Sequence, residues 1–260
     1  MEMSYLIELH KRKEVNQLSG FLDYMKNMDV NRICEGYRQL RDVDAPQRVS
    51  PYFQETHNGI SSSGASSTRR EEHLALALFN ASRGNKIFKL PDGRLIDFVD
   101  YQTPLKAKQM DEGVGNIDLF GVIDKELPTV IELKIENLDG GRADTPLRAL
   151  LEGLAYCSIV ERNISKIIDE AAVDFDIQLS GNQPTLVVLA PEEYWERYLQ
   201  NTRAGNWIPE LIEICNQFKD ELNVEIILLA MTDSEFEMGL DSVPARLTGN
   251  CELVIVESMA

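Results

Sequence analysis

The chain has 260 residues, enough to bury a sizeable core, and its 43% apolar and 27% charged residues are the balance of an ordinary folded protein. No stretch approaches the roughly 18 apolar residues a membrane helix needs, and Met1–Tyr5 has no basic region leading into an apolar run, so neither a membrane span nor a secretion signal is expected. The formal net charge of −17 argues against a uniformly basic surface of the kind that grips nucleic-acid phosphates.

That charge is unevenly spread. Residues 1–60 hold 8 basic and 9 acidic side chains and residues 61–150 hold 12 and 14, whereas residues 151–260 hold 6 and 20. The middle segment is close to neutral, so acidity weakens a nucleic-acid reading without excluding it. The four cysteines, Cys34, Cys157, Cys215 and Cys251, form no Cys-x-x-Cys pair, which speaks against a zinc site or a disulfide framework and suits a reducing cytoplasm. His10, His57 and His73 are too scattered to suggest a ligand cluster.

Residues 3–45 carry a helical spacing of apolar residues, first in Tyr5, Leu6 and Leu9, then in Leu18, Phe21, Leu22 and Met25, with Gly20 as a break. A second helix is expected from Val30 to Leu40 with Asp29 as its N-cap. Together residues 1–57 read as an N-terminal helical appendage. Residues 58–68, rich in Ser and Gly, have linker composition. The remaining domain, 69–260, opens with a helix from Arg69 to about Arg83, stopped by Gly84.

Strands are expected at Ile87–Leu90 and Leu95–Val99 around the turn Pro91-Asp92-Gly93. A flexible loop, 102–115, carries Lys106 and Lys108. Two further strands, Ile117–Ile123 and Thr129–Ile135, are joined by a polar turn ending in Pro128. Thr145 caps a helix that begins with Pro146 and runs to about Val160. After a polar stretch come a strand at Thr185–Leu189, helices at Glu192–Leu199 and Pro209–Leu222, and strands at Val224–Leu229 and Glu252–Val256. Strands mixed with helices predict an α/β fold around a central mixed sheet.

Side chains alternate along a strand. In Val130-Ile131-Glu132-Leu133-Lys134, Glu132 and Lys134 therefore share one face, and Asp118 lies on the face opposite Ile117 and Leu119. With Ile123 set opposite Thr129, Asp118 faces Lys134 and Phe120 faces Glu132. Charges embedded in such apolar strands are costly unless paired, metal-bound or open to a cleft.

Asp118, a gap of 13 residues, and then Glu132-Leu133-Lys134 at the end of an apolar strand resemble the PD-(D/E)XK nuclease superfamily. The resemblance covers about residues 65–230 and implies a restriction-endonuclease-like fold. Asp118 matches the first acidic position, and Glu132 and Lys134 match the acidic-x-Lys element. The superfamily often places an acidic residue in the helix before the core sheet, where Glu71 and Glu72 stand. Thr68-Arg69-Arg70-Glu71 fits a capping box, which leaves Glu72 the freer of the two. The helix after the motif often points a polar residue at the site, and Arg148, Glu152 and Tyr156 share one helical face. The sequence departs from the pattern at Ile117, where Pro is frequent, and at Glu152, where many members carry Gln.

The resemblance implies a Mg²⁺- or Mn²⁺-dependent endo- or exodeoxyribonuclease. Asp118, Glu132 and the Leu133 carbonyl would hold the ion with support from Glu72, while Lys134 would orient water or stabilise the transition state. Lys106 and Lys108 stand as phosphate contacts, against the plainer reading of a solvated loop. Arg148 and Glu152 are also spaced as an ordinary i,i+4 ion pair. The implied partner is nucleic acid, DNA first, with no membrane and with a homodimer left open. The alternative is a catalytically inactive nuclease-fold protein acting as a binding or assembly subunit. A third reading is an α/β interaction protein whose charges are only structural.

Overall fold

Seven consecutive residues, His73-Leu-Ala-Leu-Ala-Leu-Phe79, are all buried, although they lie in one helix and so point in every direction around its axis. A helix apolar on all sides must be enclosed on all sides, and the architecture follows from meeting that demand. A computed structural model describes residues 4–60, 70–109, 111–136, 144–239 and 243–259.

Among the described residues the chain runs α1 (Tyr5–His10), α2 (Phe21–Lys26), α3 (Val30–Gln39) and α4 (Arg70–Arg83), then β1 (Phe88–Lys89), β2 (Leu95–Pro104), β3 (Asn116–Ile123) and β4 (Leu127–Leu133). It continues with α5 (Pro146–Arg162), α6 (Ile164–Asp174), β5 (Thr185–Pro191), α7 (Glu192–Leu199), α8 (Ile208–Leu222) and β6 (Ile226–Thr232). The short strands β7 (Phe236–Glu237), β8 (Arg246–Leu247) and β9 (Glu252–Ile255) complete it. The main sheet has the order β1-β2-β3-β4-β5-β6-β9. β1 to β4 are antiparallel neighbours, β4-β5-β6 are parallel, and β9 is antiparallel to β6.

α4 lies on one face, against β2 and β3, and the two-stranded sheet β7–β8 packs on its outer side. The main sheet coils enough for its first strand to approach its last, and the bidentate pair Arg94–Glu225, 2.7 and 3.2 Å, ties the two ends. Each fully buried leucine of α4 contributes on the order of 2 kcal/mol through the apolar area taken from water.

The opposite face is covered by α5, whose Thr145 hydroxyl accepts from the Arg148 amide at 3.2 Å as the sequence predicts. α1 rests on α5, and α3 rests on α5 and α8. Leu6, Leu9 and Tyr37 share one apolar cluster with Leu154, Trp195 and Phe218. The N-terminal helices are therefore part of this layer and do not stand off as an appendage. Tyr194, Trp195 and Tyr198 belong to the same cluster; the Tyr194 hydroxyl donates to Asp144 O at 2.7 Å and Trp195 Nε1 to Leu229 O at 2.9 Å, so all three are packing residues. α6 was not expected, and β2 runs five residues further than expected, to Pro104. The expected linker and the start of the next helix at Arg69 fall largely on residues 61–69, outside the described residues. All four cysteines are free and buried. Among the described residues no helix is long and apolar enough to cross a membrane.

His10 tests whether α1 is truly core. It is 2% exposed, neither ring nitrogen has a hydrogen-bond partner among the described residues, and burial lowers its pKa from 6.5 to about 4 despite the pull of Glu152. The unfolded chain therefore takes up a proton near pH 6.5 that the folded chain refuses until about pH 4, so this residue destabilises the fold progressively as pH falls across that window. Urea unfolding at pH 7 and pH 4.5 should show His10→Leu losing about 2 kcal/mol less than the wild type between the two. Equal losses would mean that α1 is peripheral.

Candidate active site

The site begins with a tight turn. Asp124 and Lys125 both take positive φ, 51° and 62°, and the Glu126 amide donates to Ile123 O at 3.0 Å, closing a tight turn within a three-residue connection, 124–126. Ile123 consequently faces Leu127, two residues earlier than the Thr129 expected from sequence, and Pro128 lies inside β4 opposite Val122. Because the slip is by two residues, every side chain keeps its face. The cross-strand neighbour of Asp118 becomes Glu132 in place of Lys134.

Lys134 follows β4 directly and its amide still donates to Leu189 O of β5 at 2.9 Å, so its backbone is held by the parallel ladder. Its ammonium donates to Glu132 Oε1 at 2.5 Å and to Glu71 Oε1 at 3.3 Å. Glu132 and Lys134 are 2% and 6% exposed, while the Glu71 side chain keeps 37% of its surface and Asp118 is half-buried. The Asp118 carboxylate is oriented by two donors: Gln102 Nε2 to Oδ1 at 3.2 Å and the Leu133 amide to Oδ2 at 3.0 Å. The expected triad of Asp118, Glu132 and Lys134 is thus gathered at one end of the sheet.

The helices complete the cluster. Glu71, and not the Glu72 favoured from sequence, carries the carboxylate that reaches Lys134; Glu72 acts electrostatically on His73 and Tyr101. With all of 73–79 buried, apolar spacing gave no rotational phase for α4, which is why sequence could not choose between the two. The capping-box partner Thr68 lies outside the described residues. Across the sheet, Glu152 accepts from the Tyr156 hydroxyl at 3.0 Å. Arg148 pairs with Asp144 at 2.9 Å in place of Glu152. Gly153 brings α5 close: a Cβ there would fall 2.4 Å from Leu186 Cδ1 and 3.4 Å from Glu132 Cβ. The contact Leu133 makes with the site is through its amide. Lys106 and Lys108 sit on the β2–β3 loop, where Asp111 gathers the Ala107 and Lys108 amides. Among the described residues their ammonium groups make no hydrogen bond or ion pair.

Gln102 was missed. It stands in β2 with φ of 48°, a conformation rare for a non-glycine residue and costing about 1–3 kcal/mol, and nothing in the sequence announces it.

The electrostatics are lopsided. Glu132, Glu71, Asp118 and Glu152 all act on the Lys134 ammonium, and together they outweigh its burial and hold its pKa well above the usual value. The carboxylates fare worse. Burial raises Glu132 well above the usual range and raises Asp118, in both cases against the pull of Lys134. Glu71 is pushed up to about 7 by burial, with Asp118 adding to the effect. Glu152 is lowered, because Lys134, His10, the Tyr156 hydroxyl and Arg148 overcome its burial. Glu132 Oε2 is buried with no hydrogen-bond partner among the described residues. Among the described residues the carboxylates of the cluster outnumber its ammonium. Among the described residues no three His, Cys, Asp or Glu side chains form a ready metal-binding group.

Lys134 thus has a structural task. Removing its ammonium leaves Glu132, which is buried, without its counter-charge, so the substitution costs stability. In urea unfolding at pH 8, Lys134→Met should lose about 3–5 kcal/mol, since it strands buried carboxylates. Groups whose folded pKa is raised destabilise as pH climbs through and above the unfolded value. The difference from wild type should therefore shrink at pH 5.5, where Glu71, Asp118 and Glu132 more readily hold protons. A gap independent of pH would show that the carboxylates do not depend on this ammonium.

Comparison with models of known families, with curated proteins and with solved structures finds no match to this chain.

Proposed function

We propose that the chain is a metal-dependent nuclease of the PD-(D/E)XK kind, with a restriction-endonuclease-like core, that hydrolyses phosphodiester bonds of nucleic acid, DNA first. The observation that carries this reading is the Lys134 ammonium held between Glu132 and Glu71 beside Asp118, with one Glu132 oxygen buried and unpartnered. The order of elements also agrees with the resemblance: an acidic helix, a strand hairpin bearing the motif, and a capped helix presenting Glu152 and Tyr156.

The donor set fits Mg²⁺ or Mn²⁺. Asp118 and Glu132 would hold the ion, two carboxylates being the usual protein share for a cation that keeps several waters. Among the described residues, the orphaned Glu132 oxygen and the excess of carboxylates over ammonium both leave room for a cation. When bound, such an ion supplies charge neutralisation at the scissile phosphate and a more acidic attacking water. The chain's own residues do the rest. Gln102 and the Leu133 amide hold the Asp118 carboxylate in one orientation. Lys134 offers a fixed positive charge to the phosphoryl oxygens as negative charge builds. Glu71, with its pKa about 7, can take or give a proton near neutrality.

One observation favours the second reading, a catalytically inactive nuclease-fold subunit. A groove of about 730 Å³ beside the site is lined by Glu136, Glu193, Asp233 and Glu235 with Arg70. That lining repels a phosphate backbone.

Incubation of the full chain with supercoiled plasmid and with single-stranded DNA, in EDTA, Mg²⁺ or Mn²⁺, separates the two. The nuclease reading predicts metal-dependent cleavage of at least one substrate. It also predicts a loss of about a hundredfold or more in Asp118→Asn, and in Lys134→Met under conditions where circular dichroism shows it folded. Intact DNA in every wild-type reaction favours the subunit reading, and cleavage by folded Lys134→Met at the wild-type rate removes the mechanism.

A further inference from the structure

A groove of about 320 Å³ lies between the start of α5 and the segments that follow α1 and α7. Lys13, Arg197 and Arg203 line it with polar side chains such as Gln17 and Asn201, and among the described residues no carboxylate does. In a chain with 43 acidic residues against 26 basic ones, most cations have an anion to pair with. Arg38, Arg41, Arg94 and Lys166 all do so. Among the described residues the charged groups of Lys13 and Arg203 have neither a hydrogen bond nor an ion pair, and both residues are exposed.

The walls are held in place without a ligand. Asn16 ties one of them to α5, accepting from the Thr145 amide at 2.8 Å and donating to Asp144 at 2.9 Å. The Thr145 hydroxyl donates to the carbonyl of the fully buried Val15. On the other wall the Ala204 amide donates to Asn201 O at 3.0 Å, Trp207 Nε1 to Tyr198 O at 3.0 Å, and the Arg203 amide to Asn201 Oδ1 at 3.0 Å. Asp144, next to Thr145, already has Arg148 at 2.9 Å. A site formed in advance loses little binding energy to ordering.

Two interactions put the groove beside the carboxylate cluster. Arg197 pairs with Glu136 at 3.1 Å, two residues past Lys134, and the charge of Asp144 reaches Glu71. Glu136 also lines the acidic groove of Glu193, Asp233 and Glu235. The Arg197–Glu136 pair is therefore the boundary between a basic groove and an acidic one.

An account in which Lys13 and Arg203 are merely solvated explains their exposure, but not their convergence or the change of sign across Glu136. We propose that the substrate is single-stranded, its backbone phosphates held by Lys13 and Arg203 while the acidic groove turns away a complementary strand. The proposal rests on the nucleic-acid reading above and narrows it. A duplex carries its second phosphate strand across a groove about 6 or 12 Å wide. Beside a strand seated on the basic side, that companion meets Glu193, Asp233 and Glu235, which repel it. A lone strand has no companion to place. Contacts to phosphate make the grip blind to sequence.

The test is fluorescence anisotropy of the full chain in EDTA, with a labelled oligothymidylate about 20 nucleotides long and a duplex of the same length. At low salt the single strand should bind with Kd on the order of 1–10 μM and the duplex about tenfold or more weakly. Lys13→Gln combined with Arg203→Gln should weaken the single strand about tenfold and flatten its log K against log salt slope by about 1.4, the share of two phosphate contacts. Lys89→Gln, which removes an exposed charge from β1, should change neither. Glu193→Gln combined with Glu235→Gln should strengthen the duplex about threefold or more and leave the single strand within about twofold. All five side chains are exposed, so folding is not at issue. Equal binding of duplex and single strand overturns the proposal. So does a single-strand affinity indifferent to the Lys13 and Arg203 substitutions, an equal loss in Lys89→Gln, or a duplex affinity indifferent to the two glutamate substitutions. The nuclease reading fails separately. Selective binding without cleavage in Mg²⁺ or Mn²⁺ sinks that reading and leaves the grip, whereas cleavage unaffected by the Lys13 and Arg203 substitutions sinks the grip and leaves the nuclease.

Discussion

An ammonium group at the end of a buried strand must be surrounded by anions, because its hydration is lost and only Coulomb attraction at short range replaces it. Lys134 meets that condition through Glu132 on its own strand and Glu71 on α4, with Asp118 and Glu152 acting from β3 and α5. Four elements, on both faces of the sheet, are thereby committed to one point. The constraint is mutual: Glu132 is buried and the other carboxylates are partly so, and the ammonium is their shared counter-charge. Neither side of the pairing is tolerable without the other, so the cluster specifies how the helices sit as much as the apolar contacts do.

The packing makes that arrangement rigid enough to matter. α4 is enclosed by β2 and β3 on one side and β7–β8 on another, and this fixes the position of its first turn, where Glu71 stands. On the other face Gly153 removes the side chain that would hold α5 off Leu186, so Glu152 and Tyr156 are brought down toward Glu132. The strain at Gln102 belongs to the same design. A residue in left-handed conformation within a strand persists only where its surroundings compensate, and its hydrogen bond to Asp118 is one such compensation.

What the sequence made legible was periodicity. Alternation along 130–135 put Glu132 and Lys134 on one face regardless of register, so a two-residue error in the hairpin left the triad intact. Thr145-Pro146 announced α5 because a hydroxyl cap and a proline at the first position are local signals. What stayed hidden depends on three-dimensional context. The choice between Glu71 and Glu72 needed the rotation of a helix that is apolar all round. Gln102 needed a backbone angle, and the shared groove of Lys13 and Arg203 needed two segments far apart in the chain. α6 was available in principle, since Ile164, Ile167, Ile168 and Ala171 follow a helical spacing, but the surrounding polar residues masked it. The N-terminal helices were seen as helices while their role in the main apolar cluster was not, because no local signal tells which distant surface an amphipathic face covers.

The charge distribution ties these levels together. Most of the net negative charge lies in residues 151–260, yet among the described residues the cluster at the end of β4 carries more carboxylates than ammonium groups, with Glu132 buried and Glu71, Asp118 and Glu152 partly so. Buried anions in excess of their counter-charges have two ways to be relieved, by protons or by a cation. The raised values of Glu71, Asp118 and Glu132 describe the first route in the absence of any ion. A divalent cation would compete with those protons for the same oxygens, so its binding is tied to proton release and strengthens as pH rises. The feature that makes the site costly to fold is then the same feature that would make it bind a metal.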